Sequence, residues 1–398
     1  MHTILGLILV ALFAYLGSAL FRLQRLPIAL RALISSGLGF FAIGLVLGPL
    51  GVDLLGPEVL SGLDVLINLG LGWVGLLFGL QFRFGELRRL PLRHYLAAML
   101  EAGLTLAVCA GPLLAVLVAV GPDAAPPLVV TGVLAAAAST SSPTAMALVQ
   151  QQTAPRGPVA GLLRLFNAVD AVPAILVVGV VLCFAPVHPL RYGPWLDGLF
   201  WLAVACGLGL ALGAMFHLFT LYRYDQTQLL VVVLGLVVFC GGAAHFLVLS
   251  PLFVNFLVGL VVANRSPQRQ HILRSLAQVE KPIYLILLTL AGAMWNAPAG
   301  VYWLLAAGYA LCRLLGKWLA GFGAAPVAGV RAPGPLGLGA GLFDHGGMAL
   351  AIALGFSQFF VGPVFDLTLT AVVLSMLLTT LISPWSLRRT LQRAGEVP

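Results

Sequence analysis

Long apolar runs alternate with short charged loops along the whole chain, and this alternation restricts the chain to one class of structure. A helix needs about 20 apolar residues to cross the roughly 30 Å hydrocarbon core of a bilayer, and nearly every stretch between charged clusters is that long. The 398 residues are 61% hydrophobic and 9% charged, whereas a soluble domain carries about 25% charged residues. We therefore expect a multi-pass membrane protein, and soluble enzymes, coiled coils and disordered proteins are excluded.

The apolar runs, bounded by proline, glycine and charged residues, predict thirteen transmembrane helices in an all-α fold. Their approximate bounds are residues 3–21, 29–50, 59–81, 95–119, 127–151, 158–184, 195–220, 227–249, 251–263, 282–297, 301–321, 335–359 and 366–386. We number these predicted spans 1 to 13. They predict one transmembrane domain over residues 1–398.

The basic residues test this count, because cytoplasmic loops carry an excess of Lys and Arg. Seventeen of the 21 Lys and Arg residues fall in alternate loops, whereas the opposite loops hold only Arg191. The split predicts a protein of the cell (inner) membrane with its N-terminus outside and its C-terminus in the cytoplasm. Topology thus accounts for most of the net charge of +8, and no nucleic-acid partner is expected.

Charged residues remain inside the predicted spans, where each costs at least about 2.5 kcal/mol in lipid and usually faces a cavity or another charge. These residues, which we take as functional candidates, are Glu101, Arg164, Asp170, Arg313, Lys317 and Asp344, with Asp64 nearer the outer surface. Glu101 follows Arg93 by eight residues. We expect Glu101 to be a shallow residue on the cytoplasmic side.

Two predicted spans contain sequences that should interrupt a helix. Span 5 carries Thr140, Ser141, Ser142 and Pro143 near its centre, and proline removes a helical hydrogen bond. Span 12 carries five glycines with Asp344 and His345 within residues 337–347. Paired interruptions in corresponding halves of a chain indicate a transporter binding site near the membrane midplane. Close packing of small residues between helices is the alternative explanation.

The positions of the interruptions also predict internal symmetry. If spans 2–6 and 9–13 are two five-helix repeats, span 5 corresponds to span 12, seven crossings later. An odd offset makes the repeats inverted, as in many secondary transporters.

Six motifs, in order along the chain, carry a resemblance to a known family. They are GFFAIGLVLGPLG (39–51), GLGWVGLLFGLQF (70–82), TSSPTAMALVQ (140–150), NAVDAVP (167–173), CRLLGKWLAG (312–321) and GLFDHGGMALAIA (341–353). Together they resemble the monovalent cation/proton antiporter superfamily, which has the Na⁺/H⁺ exchanger fold. The resemblance is strongest to the bacterial branch that includes Kef-type potassium efflux systems.

The resemblance implies a homodimer in which a core moves against a dimerisation domain, with no cofactor. It places the core at about residues 95–184 and 301–386, and the dimerisation domain at about 1–81 and 195–297. The cytoplasmic nucleotide-binding domain of Kef-type systems is not expected here, and neither is a nucleotide partner.

The resemblance also assigns roles to single residues. Asp170 corresponds to the carboxylate that binds cation and proton alternately, and Ser141 and Ser142 lie where many members have Thr-Asp. Arg313 is the best match to the basic residue of span 11, with Lys317 as the second choice.

The residues themselves are compatible with this chemistry. One carboxylate that accepts either H⁺ or a monovalent cation, combined with alternating access, gives one-for-one exchange. Span 5 would add the oxygens of Thr140, Ser141 and Ser142, which suit hard cations, and Asn167 shares a helical face with Asp170. In the alternative, Asp170 forms a structural salt bridge with Arg313 or Arg164.

Departures from the family pattern leave the activity open. Val169 precedes Asp170 where members have Asp, Asn or Gln, and Asp344-His345 replaces a Pro-Arg pair. Two roles are open for Asp344. It forms a second proton-binding pair with His345, or it neutralises the charge of Arg313 or Lys317. A Kef-type channel and a non-transporting membrane sensor are the rival functions. An enzyme is disfavoured because no catalytic constellation is visible, and the choice between Na⁺ and K⁺ stays open.

Overall fold

The computed structural model describes residues 28–87, 91–120, 125–153, 155–185, 187, 193–222, 225–331, 334 and 337–397. Its helices are α1 Ile28–Ser35, α2 Leu38–Leu47, α3 Pro57–Gly62, α4 Asp64–Gln81, α5 Phe84–Leu87, α6 Leu92–Val120, α7 Pro127–Ser139, α8 Thr144–Thr153, α9 Pro158–Val169, α10 Ala171–Cys183, α11 Pro194–Phe219, α12 Gln226–Phe246, α13 Pro251–Arg265, α14 Arg269–Met294, α15 Val301–Ala328, a 3-10 turn at Gly339–Leu342, α16 Gly347–Phe356 and α17 Pro363–Arg393. Within these ranges the chain is all-α.

The helices confirm the multi-pass prediction. Among the described residues, eight helical stretches are long and apolar enough to cross a membrane, and three shorter helices are also apolar. Twelve of the thirteen predicted spans correspond to helices in the structure. The first predicted span, residues 3–21, lies outside the described residues.

Helix α14 differs from its predicted span, since it begins at Arg269 rather than near residue 282. The sequence suggested a basic loop there because this stretch is charged. In the structure it is an amphipathic extension that buries Ile272 and Leu276. Arg269 fixes it by donating from Nε to the backbone oxygen of Leu80 at 2.9 Å. Tertiary contacts thus extend the helix to the N-terminal side of Pro282, which was its predicted start.

The interruption predicted in span 5 separates α7 from α8 at residues 140–143. The hydroxyl groups of Ser139 and Thr140 donate back to the carbonyl oxygens of Ala136 and Ala137, each at 2.8 Å. Pro143 disfavours a helical conformation for the residue before it. Helix α8 then begins at Thr144, whose N–H donates to Ser142 Oγ at 3.2 Å.

The interruption predicted in span 12 lies at residues 343–346, between the 3-10 turn and α16. Glycines allow the chain to approach α15 very closely. A Cβ atom on Gly339 would lie 1.8 Å from the backbone oxygen of Lys317, and one on Gly321 would lie 2.0 Å from the backbone nitrogen of Gly339. Only glycine fits at these contacts, so the 3-10 turn that precedes the second interruption packs directly against α15, the helix that carries Arg313 and Lys317.

Helix packing places both interruptions inside the protein. Helix α15 packs along α6 and α17, and α7 packs between α6 and α10. A second group of helices packs as α4 with α13, α11 with α13, and α2 with α14. Helix α16 contacts members of both groups. Residues from α6, α7, α10, α15 and the two interruptions can therefore meet in one buried region.

Candidate ion-binding site

The two interruptions are hydrogen-bonded to each other. The backbone N–H of Ser142 donates to the backbone oxygen of Asp344 at 3.0 Å. The N–H of Ala145, in the first turn of α8, donates to Asp344 Oδ2 at 2.9 Å. The Asp344 carboxylate therefore lies at the positive end of α8, where a negative charge is favourable.

Arg313 binds the C-terminal ends of the two segments that precede the interruptions. Its guanidinium donates to the backbone oxygens of Phe343 at 2.7 Å, Thr140 at 2.9 Å and Asp344 at 3.2 Å. These carbonyls belong to the ends of α7 and of the 3-10 turn, which have lost their helical donors. The fully buried cation thus stabilises the negative ends of both half-helices.

Lys317 lies one helical turn beyond Arg313 and approaches two carboxylates. Its Nζ is 3.1 Å from Glu101 Oε1 and 3.5 Å from Asp170 Oδ2. It also donates to the backbone oxygen of Ser139, at the end of α7, at 2.6 Å. Lys317, rather than Arg313 or Arg164, is thus the cation that faces Asp170.

Asp170 occupies the junction of α9 and α10. Pro173, which has no N–H to donate to the carbonyl four residues earlier, marks the junction in the sequence. Asp170 is fully buried, and no hydrogen bond from a described residue satisfies either carboxylate oxygen. Ser141 Oγ is buried and lies close to this carboxylate, and Asn167 Oδ1 is buried without a hydrogen-bond partner among the described residues.

These unsatisfied atoms are unusual, because most buried polar groups in proteins have a hydrogen-bond partner. A carboxylate, a hydroxyl and an amide oxygen together form the oxygen-rich environment that hard monovalent or divalent cations prefer. The same carboxylate can instead take a proton. The arrangement is chemically suited to binding either species.

Thr140 and Ser142 have different contacts from Ser141. Thr140 uses its hydroxyl on its own helix and its carbonyl on Arg313. Ser142 Oγ shares a 2.9 Å hydrogen bond with Thr144 Oγ1. Both residues therefore shape the first interruption, whereas the Ser141 hydroxyl lies close to the Asp170 carboxylate.

Arg164 does not join the buried group. It is an exposed residue, and it donates to the backbone oxygen of Ala160 in its own helix at 3.1 Å and to that of Pro155 at 3.4 Å. The salt bridge between Asp170 and Arg164 that was raised as an alternative is therefore not formed.

His345 and Asp344 do not form a pair through their side chains. The His345 ring contacts Ser375 Oγ through Nδ1 at 3.2 Å and the backbone oxygen of Ala137 through Nε2 at 3.1 Å. A neutral ring with its proton on Nε2 satisfies both contacts. His345 therefore links the second interruption to α7 and α17.

Glu101, predicted to lie near the cytoplasmic side, takes part in a buried ion pair that was not predicted. It is fully buried, contacts Lys317 and accepts a hydrogen bond from Thr105 at 3.2 Å. Because α6 begins at Leu92, Glu101 lies about 14 Å along the helix at the usual rise per residue. Pro91, just before the start of α6, is the sequence signal that could have placed Glu101 more than two turns inside the helix.

Comparisons with known proteins agree with this architecture. Residues 8–393 match the family described as sodium/hydrogen exchanger, transmembrane. No curated protein sequence matches the chain. The fold is similar to the structure of the sodium proton antiporter MjNhaP1 from Methanocaldococcus jannaschii at pH 8, with a TM-score of 0.69, 14% identity and full coverage of both chains.

A second structure of MjNhaP1, an electron-microscopy map, gives a TM-score of 0.64 and 15% identity, covering 100% of this chain and 97% of that chain. At such low identity these likenesses establish the fold alone, while the family match covers nearly every residue of the chain. This family consists of membrane transporters rather than enzymes. The chain is therefore a member of the sodium/hydrogen exchanger family, a multi-pass cation/proton antiporter of the monovalent cation/proton antiporter superfamily.

Proposed function

We propose that this protein exchanges a monovalent cation, Na⁺ or K⁺, for H⁺ by alternating access, with cation and proton competing for Asp170. One observation carries the proposal. Asp170 is fully buried beside the first interruption, and the described residues offer its carboxylate oxygens only the Ser141 hydroxyl and Lys317 Nζ, which is 3.5 Å from Oδ2. A buried carboxylate in that state gains most from a bound proton or cation.

The proposed cation ligands are Asp170, Asn167 and Ser141. Asn167 Oδ1 is buried without a hydrogen-bond partner among the described residues, and the Ser141 hydroxyl lies close to the Asp170 carboxylate. Thr140, Ser142, Arg313 and Asp344 hold the shape of the two interruptions, and Lys317 supplies the neighbouring positive charge. Na⁺ is the first cation to test, since MjNhaP1, whose fold this chain shares, is a sodium proton antiporter.

Alternating access requires that part of the protein moves. We assign the moving core to about residues 95–184 and 301–386, and the scaffold to about 1–81 and 195–297. The packing of α6, α7 and α15 in one group and of α2, α4, α11, α13 and α14 in another supports this division. The scaffold would form a homodimer in the bilayer of the cell membrane.

The orientation is proposed from the loop charges. Seventeen of the 21 Lys and Arg residues lie in alternate loops, and positively charged loops stay in the cytoplasm. The N-terminus is therefore placed outside and the C-terminus inside.

The test is proton movement in proteoliposomes that carry an imposed pH gradient. Na⁺, K⁺ or Li⁺ is added in turn to wild type, Asp170→Asn and Glu58→Gln, an exposed glutamate outside the site. We expect wild type and Glu58→Gln to move protons when the transported cation is added. Asp170→Asn should lose this response, because an amide neither releases a proton nor supplies a charge to the cation.

The wild-type result separates the rival functions. Cation flux without proton movement would indicate a channel and contradict antiport. No flux with any of the three cations would indicate a non-transporting relative. Unchanged exchange in Asp170→Asn would move the ion site away from Asp170.

A further inference from the structure

Glu396 caps the N-terminal end of α9, which lies 237 residues earlier in the sequence. Its Oε1 accepts a hydrogen bond from the N–H of Val159 at 2.7 Å, and its Oε2 accepts one from the N–H of Ala160 at 2.8 Å. Pro158, the first residue of α9, has no N–H to offer. The carboxylate therefore satisfies the N–H groups of the second and third helical residues, which have no acceptor within the helix. It also lies at the end of α9 where a negative charge is favourable.

Two glycines make this contact possible. Gly395, just after α17, has a φ of +71°, and the N–H groups of Gly395 and Glu396 donate to the carbonyls of Gln392 and Leu391, each at 3.0 Å. This left-handed turn is a common way for a helix to end at glycine, and here it directs Glu396 to α9. On the other side, a Cβ atom on Gly157 would lie 2.1 Å from Glu396 Cδ. Both sides of the contact thus depend on the absence of a side chain.

The segment that carries Glu396 is packed into the protein. We call residues 394–397 the strap. Val397 is 6% exposed and belongs to an apolar cluster that includes Leu163 and Phe166 of α9 and Leu387 and Leu391 of α17. The strap therefore joins the end of α17 to the start of α9 through apolar packing as well as through the Glu396 carboxylate.

Resting on the proposed function, we propose that Glu396 is a positioning residue for the ion site, because it fixes α9 and thereby Asn167 and Asp170. Helix α9 carries Asn167 in its last turn and ends one residue before Asp170. At the usual rise per residue, Asp170 lies about 17 Å along the helix from Val159. Since a helix moves as a rigid element, a shift at its first turn displaces both proposed ligands.

Cation binding depends on this position more than proton binding does. The proposed cation ligands come from two places, with Asn167 and Asp170 at the end of α9 and Ser141 in the first interruption. A binding site needs such groups held within about 0.5 Å of the right geometry. A proton needs the Asp170 carboxylate alone. A displaced α9 should therefore weaken the binding of the cation and change the binding of the proton much less.

The experiment measures cation-triggered proton movement in proteoliposomes that contain the full chain. The loading-side pH is set high enough that the apparent KM for the cation no longer depends on pH. Glu396→Ala removes the cap from α9. We expect at least a threefold rise in the apparent KM for the transported cation, with a smaller change in the maximal rate per folded protein. A purely structural role would lower the amount of folded protein and leave the KM unchanged.

Asp225→Ala is the matched control. Asp225 caps the first turn of α12, where its Oδ1 accepts from the N–H of Gln228 at 2.7 Å. Helix α12 carries none of the proposed ligands. Loss of this cap should leave the KM at the wild-type value.

Gly157→Ala tests the contact from the side of α9. The backbone at Gly157 is extended, with a φ of 170°, which any residue adopts, so the added Cβ acts on the Glu396 carboxylate. Gly157→Ala should raise the KM as Glu396→Ala does. The double variant Glu396→Ala/Gly157→Ala should match Glu396→Ala alone, since no carboxylate is left to displace. Hydrogen exchange of residues 157–170 should be faster in both single variants, because the first turn of α9 is no longer held.

Four results would overturn the inference: a wild-type KM in Glu396→Ala, a folded Glu396→Ala protein that shows no transport at any cation concentration, an equal rise in KM in Asp225→Ala, or effects of the two single variants that add in the double variant. If Glu396→Ala does not fold, Glu396→Gln, which keeps one acceptor oxygen, replaces it in the KM comparison. Wild type that moves no protons contradicts the proposed function and with it the role of Glu396. Wild-type exchange with an unchanged KM in the variant contradicts only the role of Glu396.

Discussion

Arg313 and Arg164 show why the role of a charged residue must be judged from its contacts. Arg313 and Arg164 were both predicted to support the site, and both occur in apolar surroundings in the sequence. Arg313 is buried and binds carbonyls from both interruptions. Arg164 is exposed and binds carbonyls at the start of its own helix region. Position along the chain did not distinguish them.

Replacing Arg313 should therefore destabilise the fold much more than replacing Arg164. Arg313→Gln loses charged hydrogen bonds worth about 1.5–3 kcal/mol each and leaves carbonyls of both half-helices unpaired. We expect a loss of at least about 3 kcal/mol, seen as a clearly lower unfolding temperature in detergent. The matched Arg164→Gln variant should unfold near the wild-type temperature, and equal losses in both would contradict the role given to Arg313.

Some residues of the proposed ion site belong to short sequence motifs that mark them, whereas others do not. Asp170, Asn167 and Ser141 belong to short motifs, so the sequence pointed to them directly. The choice of Lys317 over Arg313 as the neighbour of Asp170 had no such signal, because the two cations lie one turn apart on the same face of α15. Which of them reaches Asp170 depends on where α9 and α10 cross α15.

At the scale of elements, the interruptions formed where helix-breaking residues occur in the sequence. Pro143 and the glycines of residues 337–347 marked both of them. What the sequence could not show is that the interruptions are hydrogen-bonded to each other and capped by one arginine. Those contacts join segments about 200 residues apart.

The close approach of α15 to the 3-10 turn gives an element-scale prediction. In Gly321→Ala, the new Cβ would lie 2.0 Å from the backbone nitrogen of Gly339, so the turn must shift. Overpacking of this kind costs about 1–3 kcal/mol, and a shifted turn should also weaken cation-triggered proton movement. Unfolding temperature and transport are measured together.

Gly308→Ala is the control on the same helix, since a Cβ there meets nothing within 4 Å. Alanine favours a helix over glycine by about 1 kcal/mol, so this variant should be as stable as wild type or more stable. A Gly321→Ala protein that behaves like Gly308→Ala would show that the turn does not need the close contact.

At the scale of the whole molecule, the proposed mechanism has cation and proton compete for Asp170, which faces one side of the membrane at a time. Raising the pH on the side from which the cation is loaded removes the competing proton. The apparent KM for the cation should therefore fall as that pH rises and then reach a plateau. Initial rates in proteoliposomes at several pH values and cation concentrations measure this dependence.

Competition also predicts which kinetic parameter changes. The maximal rate at saturating cation should vary much less with the loading-side pH than the apparent KM does, since enough cation displaces the proton. A pH effect confined to the maximal rate would contradict a shared site and favour a separate regulatory proton.

The sequence by itself determined the membrane class, twelve of the thirteen spans, which correspond to helices in the structure, both interruptions and the identity of Asp170 as a buried carboxylate. These features follow from local properties: the length of apolar runs, the charge of loops, and proline or glycine within a helix. The tertiary structure alone decided that Glu101 is buried against Lys317, that Lys317 stands between Glu101 and Asp170, and that Arg313 holds the two interruptions together. The reason is physical, because the energy of a buried charge depends on its neighbours across helices, and helix packing brings those neighbours from distant parts of the chain.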